Sequence, residues 1–262
     1  MNANAQYDDE SRAGLQRIYG TGFTSPGGLT EMTQLLDGLD LTGKDVMDLG
    51  CGLGGDSLLL AGEFGAASVI SVDVDPGNLK VTSDYVADAD LGHIITPTLV
   101  EPGPLPFAND LFDGVHSKAM LCHLDDLAPM FQELRRVLKP DGTFFAADWM
   151  KGERDELSQS YHDFLSNLAS AGLEFFFRTP QAHADALVEA GFENVELRDA
   201  TPVVEAYARN IVEQVTGNAR DDLAQSLGEG GYEAMVARNQ SRLNALTNGD
   251  LKFQYIKAMC PA

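Results

Sequence analysis

The stretch Val46-Met47-Asp48-Leu49-Gly50-Cys51-Gly52-Leu53-Gly54-Gly55 constrains this chain most. An apolar run ends in closely spaced glycines, and Asp56 to Leu60 then opens a helical pattern. The order reads strand, tight turn, helix. Gly50 and Gly52 carry no Cβ, so the backbone can turn sharply there and approach a ligand closely. The helix that follows presents unpaired N–H groups at its start. A second acidic run, Val72-Asp73-Val74-Asp75, falls where the next strand should end. A carboxylate at such a strand end can accept from both hydroxyls of a ribose.

The remaining chain alternates between the periods of strand and helix. Strands are expected over 45–49, 67–74, 93–99, 112–116, 143–149, 195–200 and 251–259. Leu127, Met130, Phe131, Leu134, Val137 and Leu138 share one stripe of a helix expected over 124–138. Lys139-Pro140-Asp141-Gly142 reads as a turn, and Gly228-Glu229-Gly230-Gly231 splits 203–247 into two helices. Thr179-Pro180 and Thr201-Pro202 each pair a capping residue with a first-turn proline. The pattern implies an α/β fold: a doubly wound, mostly parallel sheet of seven strands, Rossmann-like, with helical lid insertions. One domain is expected over 1–262, with N-terminal lid helices in 1–40, a ligand-binding core in 41–150, and helical lids at 151–178 and 203–247. Ligands of such sheets sit at the carboxyl ends of the strands.

Charge narrows the partners. Forty acidic against 18 basic residues give a net charge of −22. A surface this acidic repels phosphate backbones, so neither nucleic acid nor an anionic membrane is an expected partner. No apolar run reaches the roughly 18 residues of a membrane span. Residues 1–6 show neither a basic n-region nor an apolar h-region, so no signal peptide is expected. Cys51, Cys122 and Cys260 form no C-x-x-C pair, which fits a cytoplasmic location without disulfides. The five histidines lack metal-ligand spacing, so no metal is expected. The sequence leaves the oligomeric state open.

The G-x-G-x-G loop after Asp48, together with Asp73 and Asp75, resembles the class I S-adenosylmethionine (SAM) methyltransferases more than the nucleotide dehydrogenases. The resemblance implies SAM as cofactor and S-adenosylhomocysteine as product. It places Asp73 on the ribose and Glu101 on the adenine amine. Gly50 and Gly52 would let the methionine part pass, Asp48 would orient the loop or meet the amino group, and Ser117 is a further cofactor-binding candidate. Pro102 stands where such enzymes normally offer an N–H to the adenine ring, and proline has none.

Tyr7, the Ser25-Pro26-Gly27-Gly28 turn, the glycine loop and the His123 loop are similar, in order and spacing, to the phosphoethanolamine N-methyltransferases. The likeness covers most of the chain and weakens after about residue 150. It implies that Tyr7 and His123 form a catalytic pair over an amine, His123 being the general base. His116, on the strand itself, reads as structural. Tyr19, Trp149 and Arg178 are the candidate acceptor-binding residues. Two departures bear on the acceptor. Ala119 replaces the family's aspartate four residues before the histidine. Leu173-Glu174-Phe175-Phe176-Phe177 is apolar where the family holds a phosphate with basic and tyrosyl residues. Trp149 stands in place of a tyrosine, and Arg178, Arg238 and Arg242 are the arginines that could rebuild an anion site. The expected function is N-methylation of a small amine. S- or O-methylation of a small thioether or hydroxy acid is the alternative. A third reading, a SAM-binding regulator without catalysis, is opposed by Tyr7 and His123. Phosphoethanolamine is expected to be a poor substrate. The real acceptor would be smaller or less charged, any anionic end being met by an arginine such as Arg178.

Overall fold

The structure is a computed structural model, and it describes residues 9–170 and 172–262. Tyr7 lies outside the described residues. Seven strands form one sheet in the order β3-β2-β1-β4-β5-β7-β6. They are β1 (Asp45–Leu49), β2 (Ser68–Asp73), β3 (Ile95–Leu99), β4 (Phe112–Lys118), β5 (Leu138–Lys151), β6 (Glu193–Asp199) and β7 (Leu251–Met259). Strands β1 to β5 run parallel, and β7 is antiparallel to both of its neighbours. The order reverses at β1, between β2 and β4, which is where open α/β sheets bind ligands.

Alternation along the strands sends neighbouring side chains to opposite faces. In β5, Phe145 joins one core layer and Phe144 the other. The first layer is covered by α2 (Leu29–Leu35), α3 (Gly55–Gly62), α6 (Gln159–Ser170) and α8 (Thr201–Thr216). The second is covered by α5 (Ala128–Val137) and α7 (Pro180–Glu189), through Phe131, Leu134 and Leu187. The Asp126 carboxylate accepts the Ala128 N–H at 3.0 Å, and Pro129 sits in the first turn, where its missing N–H costs nothing. A third cluster joins Tyr19 of α1 (Asp9–Tyr19) to Ile211 and Val215 of α8 and to Tyr232 and Met235 of α9 (Arg220–Thr247).

Three sequence expectations change in detail. The helix expected over 124–138 starts at Ala128, because Leu121–His123 instead forms a 3-10 turn. Strand β5 begins at Leu138 and runs through Lys139-Pro140-Asp141-Gly142. The expected turn is absorbed as an irregularity between the pairs Phe112↔Leu138 and Gly114↔Thr143, with Asp141 at φ 59°. Among the described residues the insertion at 151–178 is helical only in α6; Phe175, Phe176 and Phe177 lie in a segment without regular secondary structure. Phe176 N–H donates to the Cys122 carbonyl there at 2.7 Å, which draws the segment off a helical path. The split at Gly228 is present as a kink within α9 (φ 70°, ψ 159°).

Leu134 is fully buried between α5 and the sheet. Leu134→Ala is expected to cost about 2–5 kcal/mol, because the methyls lost leave a cavity that close packing cannot refill. Val188, 60% exposed, should change stability by no more than about 0.5 kcal/mol on mutation to alanine. Paired urea melts check the contrast.

Candidate functional site

The end of β2 organises the site. Asp73 is buried, and its Oδ2 accepts the Gly52 N–H at 2.9 Å. Its Oδ1 accepts the Asp75 N–H at 2.9 Å and the Asn78 amide at 3.4 Å. Burial raises its pKa, against the pull of these hydrogen bonds. Asp75 caps α4 (Pro76–Asp88) by accepting the Gly77 N–H at 2.7 Å. Asp73 is thus spared the capping role. A carboxylate has about four acceptor positions, and Oδ2 keeps capacity for a second donor.

The glycine loop stands on this carboxylate. The Gly50 and Cys51 N–H groups both donate to the Val72 carbonyl at 2.9 Å. Gly50 has φ 72°, and a Cβ there would lie 2.5 Å from Met120 Cγ. The later glycines serve packing: a Cβ on Gly54 would meet Thr82 at 2.6 Å. One on Gly55 would meet the Gly22 carbonyl at 2.6 Å and the Phe23 ring at 2.7 Å. The Gly55 N–H already donates to that carbonyl at 3.0 Å. This N–H at the start of α3 is therefore taken by the N-terminal segment rather than turned toward a ligand.

Beneath the loop, Asp48 accepts from Ser57 Oγ and from His116 Nδ1, the latter at 2.8 Å. Ser71 Oγ donates to Ser57 at 2.7 Å. Asp48 is 1% exposed and His116 is fully buried, so the pair holds the loop from below. Ser117 Oγ donates to the Leu49 carbonyl at 3.0 Å and pins β4 to β1. Glu101 is exposed at the exit of β3. Two apolar side chains near it were not singled out in the sequence: Val74 is 40% and Leu99 52% exposed. Apolar strand residues look like core residues in a sequence; what marks these two is that nothing covers them.

A second cluster was also missed. Lys118 Nζ, at the end of β4, lies 2.7 Å from Asp56 Oδ2 and 4.8 Å from the centre of the Phe23 ring. Burial lowers its pKa, but Asp56 and Glu31 more than offset this and raise it. Glu31 is buried on α2 beside them, and burial raises its pKa to about 7 against the pull of Lys118. Gly27 makes room for this cluster: a Cβ there would lie 2.3 Å from Lys118 Nζ and 2.7 Å from Glu31 Oε2.

His123 is half-buried in the 3-10 turn after β4. Its Nδ1 lies 3.1 Å from the Glu174 carbonyl, and its ring lies 4.3 Å from that of Phe175. A carbonyl only accepts, so Nδ1 carries the proton, and Nε2 holds the basic lone pair when the ring is neutral. Burial lowers the His123 pKa, with the carbonyl opposing. Asp148 fixes the turn from below, accepting the Leu121 N–H at 2.7 Å and the Trp149 N–H at 2.6 Å. Burial raises its pKa to about 6. Phe175 stacks on Phe177, which faces Tyr161 and Phe164 of α6. Trp149 packs edge-on against Phe253 in the same core layer. Ala119 takes a left-handed conformation, φ 50°, at the exit of β4.

The arginines divide. The Arg178 guanidinium donates to the carbonyls of Leu124, Asp125 and Phe176, which makes it a strap across the His123 loop. Arg242 donates to Tyr19 Oη at 2.6 Å and to Asn239 Oδ1 at 3.0 Å. Its Nε is buried with no hydrogen-bond partner among the described residues. The structure therefore brings Tyr19 to Arg242, while His123 lies against Phe175 and Trp149 against Phe253. Among the described residues no cluster could hold a metal ion and no helix is long and apolar enough to cross a membrane.

Residues 47–146 match the methyltransferase domain family. Phosphoethanolamine N-methyltransferase 3 of Arabidopsis thaliana is 24% identical over 95% of this chain. The chain spans 49% of that relative, about half its length. Phosphoethanolamine N-methyltransferase 2 of Haemonchus contortus, solved with phosphomonomethylethanolamine and S-adenosylhomocysteine, superposes with a TM-score of 0.86 at 23% identity. That match covers 98% of this chain and 58% of the other. A putative sarcosine dimethylglycine methyltransferase of Galdieria sulphuraria superposes with a TM-score of 0.80 at 19% identity, covering 97% of this chain and 98% of the other. The fold is that of the SAM-dependent methyltransferases.

Glu31 yields a pH test. An acid whose pKa is raised on folding favours the folded state below its unfolded value of 4.5 and loses that contribution as pH rises through about 7. Glu31→Gln should therefore match the parent chain below pH 4.5 and exceed it above pH 7, by about 3 kcal/mol. Denaturant melts of both chains between pH 4 and 8 check this. Equal pH slopes would mean that Glu31 is solvated.

Proposed function

We propose that this protein is a SAM-dependent methyltransferase of a small molecule, most simply an N-methyltransferase of a small amine. The observation that carries the reading is the Asp73 carboxylate at the switch point of the sheet, buttressed by the glycine loop and spared from capping α4. The fit to SAM rests on three features. Asp73 retains acceptor capacity for a ribose diol. Val74 and Leu99 leave apolar surface beside it for a flat ring. Glu101 stands exposed at the neighbouring strand end for the adenine amine. SAM supplies a methyl group on a sulfonium, ready for in-line displacement.

The chain's own residues then have separate tasks. His123 Nε2 takes the proton that a protonated amine must lose before it attacks, and the Glu174 carbonyl keeps the ring in that tautomer. Tyr7 is proposed as its partner on the grounds of the family resemblance. The aromatic wall of Phe175, Phe177 and Tyr161 takes over from the carboxylate missing at Ala119, since ring faces attract a cation. Arg242 with Tyr19, rather than the strapped Arg178, is the group for an anionic end of the acceptor. Phosphoethanolamine fits poorly, because Leu173 and Phe175 cannot supply the charge-assisted hydrogen bonds of a buried phosphate. An S- or O-acceptor is the second reading, favoured by Ala119 because such an acceptor needs no partner for an ammonium.

The acceptor test is a ¹³C-methyl SAM assay, followed by NMR, on phosphoethanolamine, glycine-type amino acids, simple amines, thioethers and hydroxy acids. Transfer to an unphosphorylated amine is expected. Efficient transfer to phosphoethanolamine would contradict the reading of the aromatic wall, and transfer to a thioether alone would replace the N-methyl reading.

Asp73→Ala should weaken SAM binding by about 1.5–3 kcal/mol, as for hydrogen bonds to a charged group. Calorimetry on the folded variant checks this, and unchanged affinity would remove Asp73 from the site. His123→Ala should lower turnover by about 10²–10⁴-fold with SAM binding retained. Because burial lowers the His123 pKa, the acid limb of the parent's rate profile should lie below 6.5. A limb above that value would exclude neutral His123 as the base.

A further inference from the structure

Helix α1 touches two parts of the molecule. Its last turn packs Tyr19 against α8 and α9. Its first turn carries Arg12, 7% exposed, onto the start of α4. There Nη2 donates to Asp75 Oδ2 at 2.7 Å and Nε to Asn78 Oδ1 at 2.9 Å, while Nη1 meets Asp9 on its own helix at 3.0 Å. Further along α1, the Gln16 side-chain oxygen accepts from Tyr85 of α4 at 2.7 Å and from the Gly22 N–H at 2.8 Å.

We propose that Arg12 is a positioning residue that latches α1 over the acidic loop after β2 and thereby closes the ribose end of the cofactor site. The inference rests on the SAM reading of Asp73. Both acceptors of Arg12 are one hydrogen bond from that carboxylate: Asp75 through its N–H, Asn78 through its amide. The same amide group of Asn78 faces Arg12 with its oxygen and Asp73 with its nitrogen, so the latch and the ribose ligand hold each other in orientation. Asp75 serves two elements, capping α4 with Oδ1 and anchoring α1 with Oδ2. The seat is shaped for a guanidinium: a Cβ on Gly77 would lie 2.4 Å from Arg12 Nη2. A lysine has one charged nitrogen and cannot bridge both acceptors as the planar fork does. Held this way, α1 is a crossbar from the cofactor end to the acceptor-side helices, where Tyr19 meets Arg242.

The test is the release rate of S-adenosylhomocysteine, measured by stopped-flow competition on the full chain. Arg12→Met removes the charge and keeps the bulk. Gly77→Ala evicts the guanidinium without changing any charge. Both should release the product about 10–100 times faster, the factor carried by one charge-assisted hydrogen bond, at a little-changed association rate. Arg12→Lys should fall between them and the parent. Asp75→Asn, which keeps a capping side chain, should add little to Arg12→Met if the two act as one unit. Parent-like release from Arg12→Met or from Gly77→Ala overturns the latch, as does full additivity with Asp75→Asn. A parent chain that binds neither SAM nor S-adenosylhomocysteine overturns the cofactor reading itself, and the latch with it.

Discussion

The carboxylate of Asp73 gathers the Gly52 N–H, the Asp75 N–H and the Asn78 amide at the end of β2. Three segments meet on one buried carboxylate: the glycine loop and the strand exit through backbone N–H groups, and the first turn of α4 through the Asn78 side chain. Leaving a charge buried without partners costs several kcal/mol, so these donors hold the loop where a ligand can reach it. The same carboxylate is a keystone of the loop and, in the function proposed here, the binding group as well. A neighbouring acid, Asp75, does the capping of α4.

Around this point the chain separates close approach from close packing. Gly50 and Gly52 have positive φ and shape the turn. Gly54, also at positive φ (84°), and Gly55 make room for Thr82 and for the Gly22–Phe23 segment. Gly27 and Gly77 make room for the Lys118 and Arg12 side chains. Small residues thus mark where the N-terminal segment packs against the core.

The sheet, its order of elements and the strand–loop–helix unit were legible because they depend on local periods of two and 3.6 residues and on glycine placement. The β2 acid was legible because its spacing from the loop follows from one crossover helix. What escaped depends on partners far apart in sequence. Arg12 meets Asp75, and Lys118 meets Asp56 and lies near Glu31; no local pattern announces such pairs. Arg178 looked available for an anion because a sequence does not show that three carbonyls already hold its guanidinium. The irregular run at Phe175–Phe177 looked helical because its apolar residues carry no period of their own; a hydrogen bond from the Phe176 N–H to the Cys122 carbonyl decides its path.

In the function proposed here, the Asp73 end of the sheet holds the ribose of SAM. The decisive experiment is a crystal of this protein soaked with S-adenosylhomocysteine. The ribose diol is expected within about 3 Å of the Asp73 carboxylate, with the adenine ring against Val74 and Leu99. A ligand seated elsewhere on the sheet, or a saturated soak with the Asp73 loop unoccupied, would contradict it.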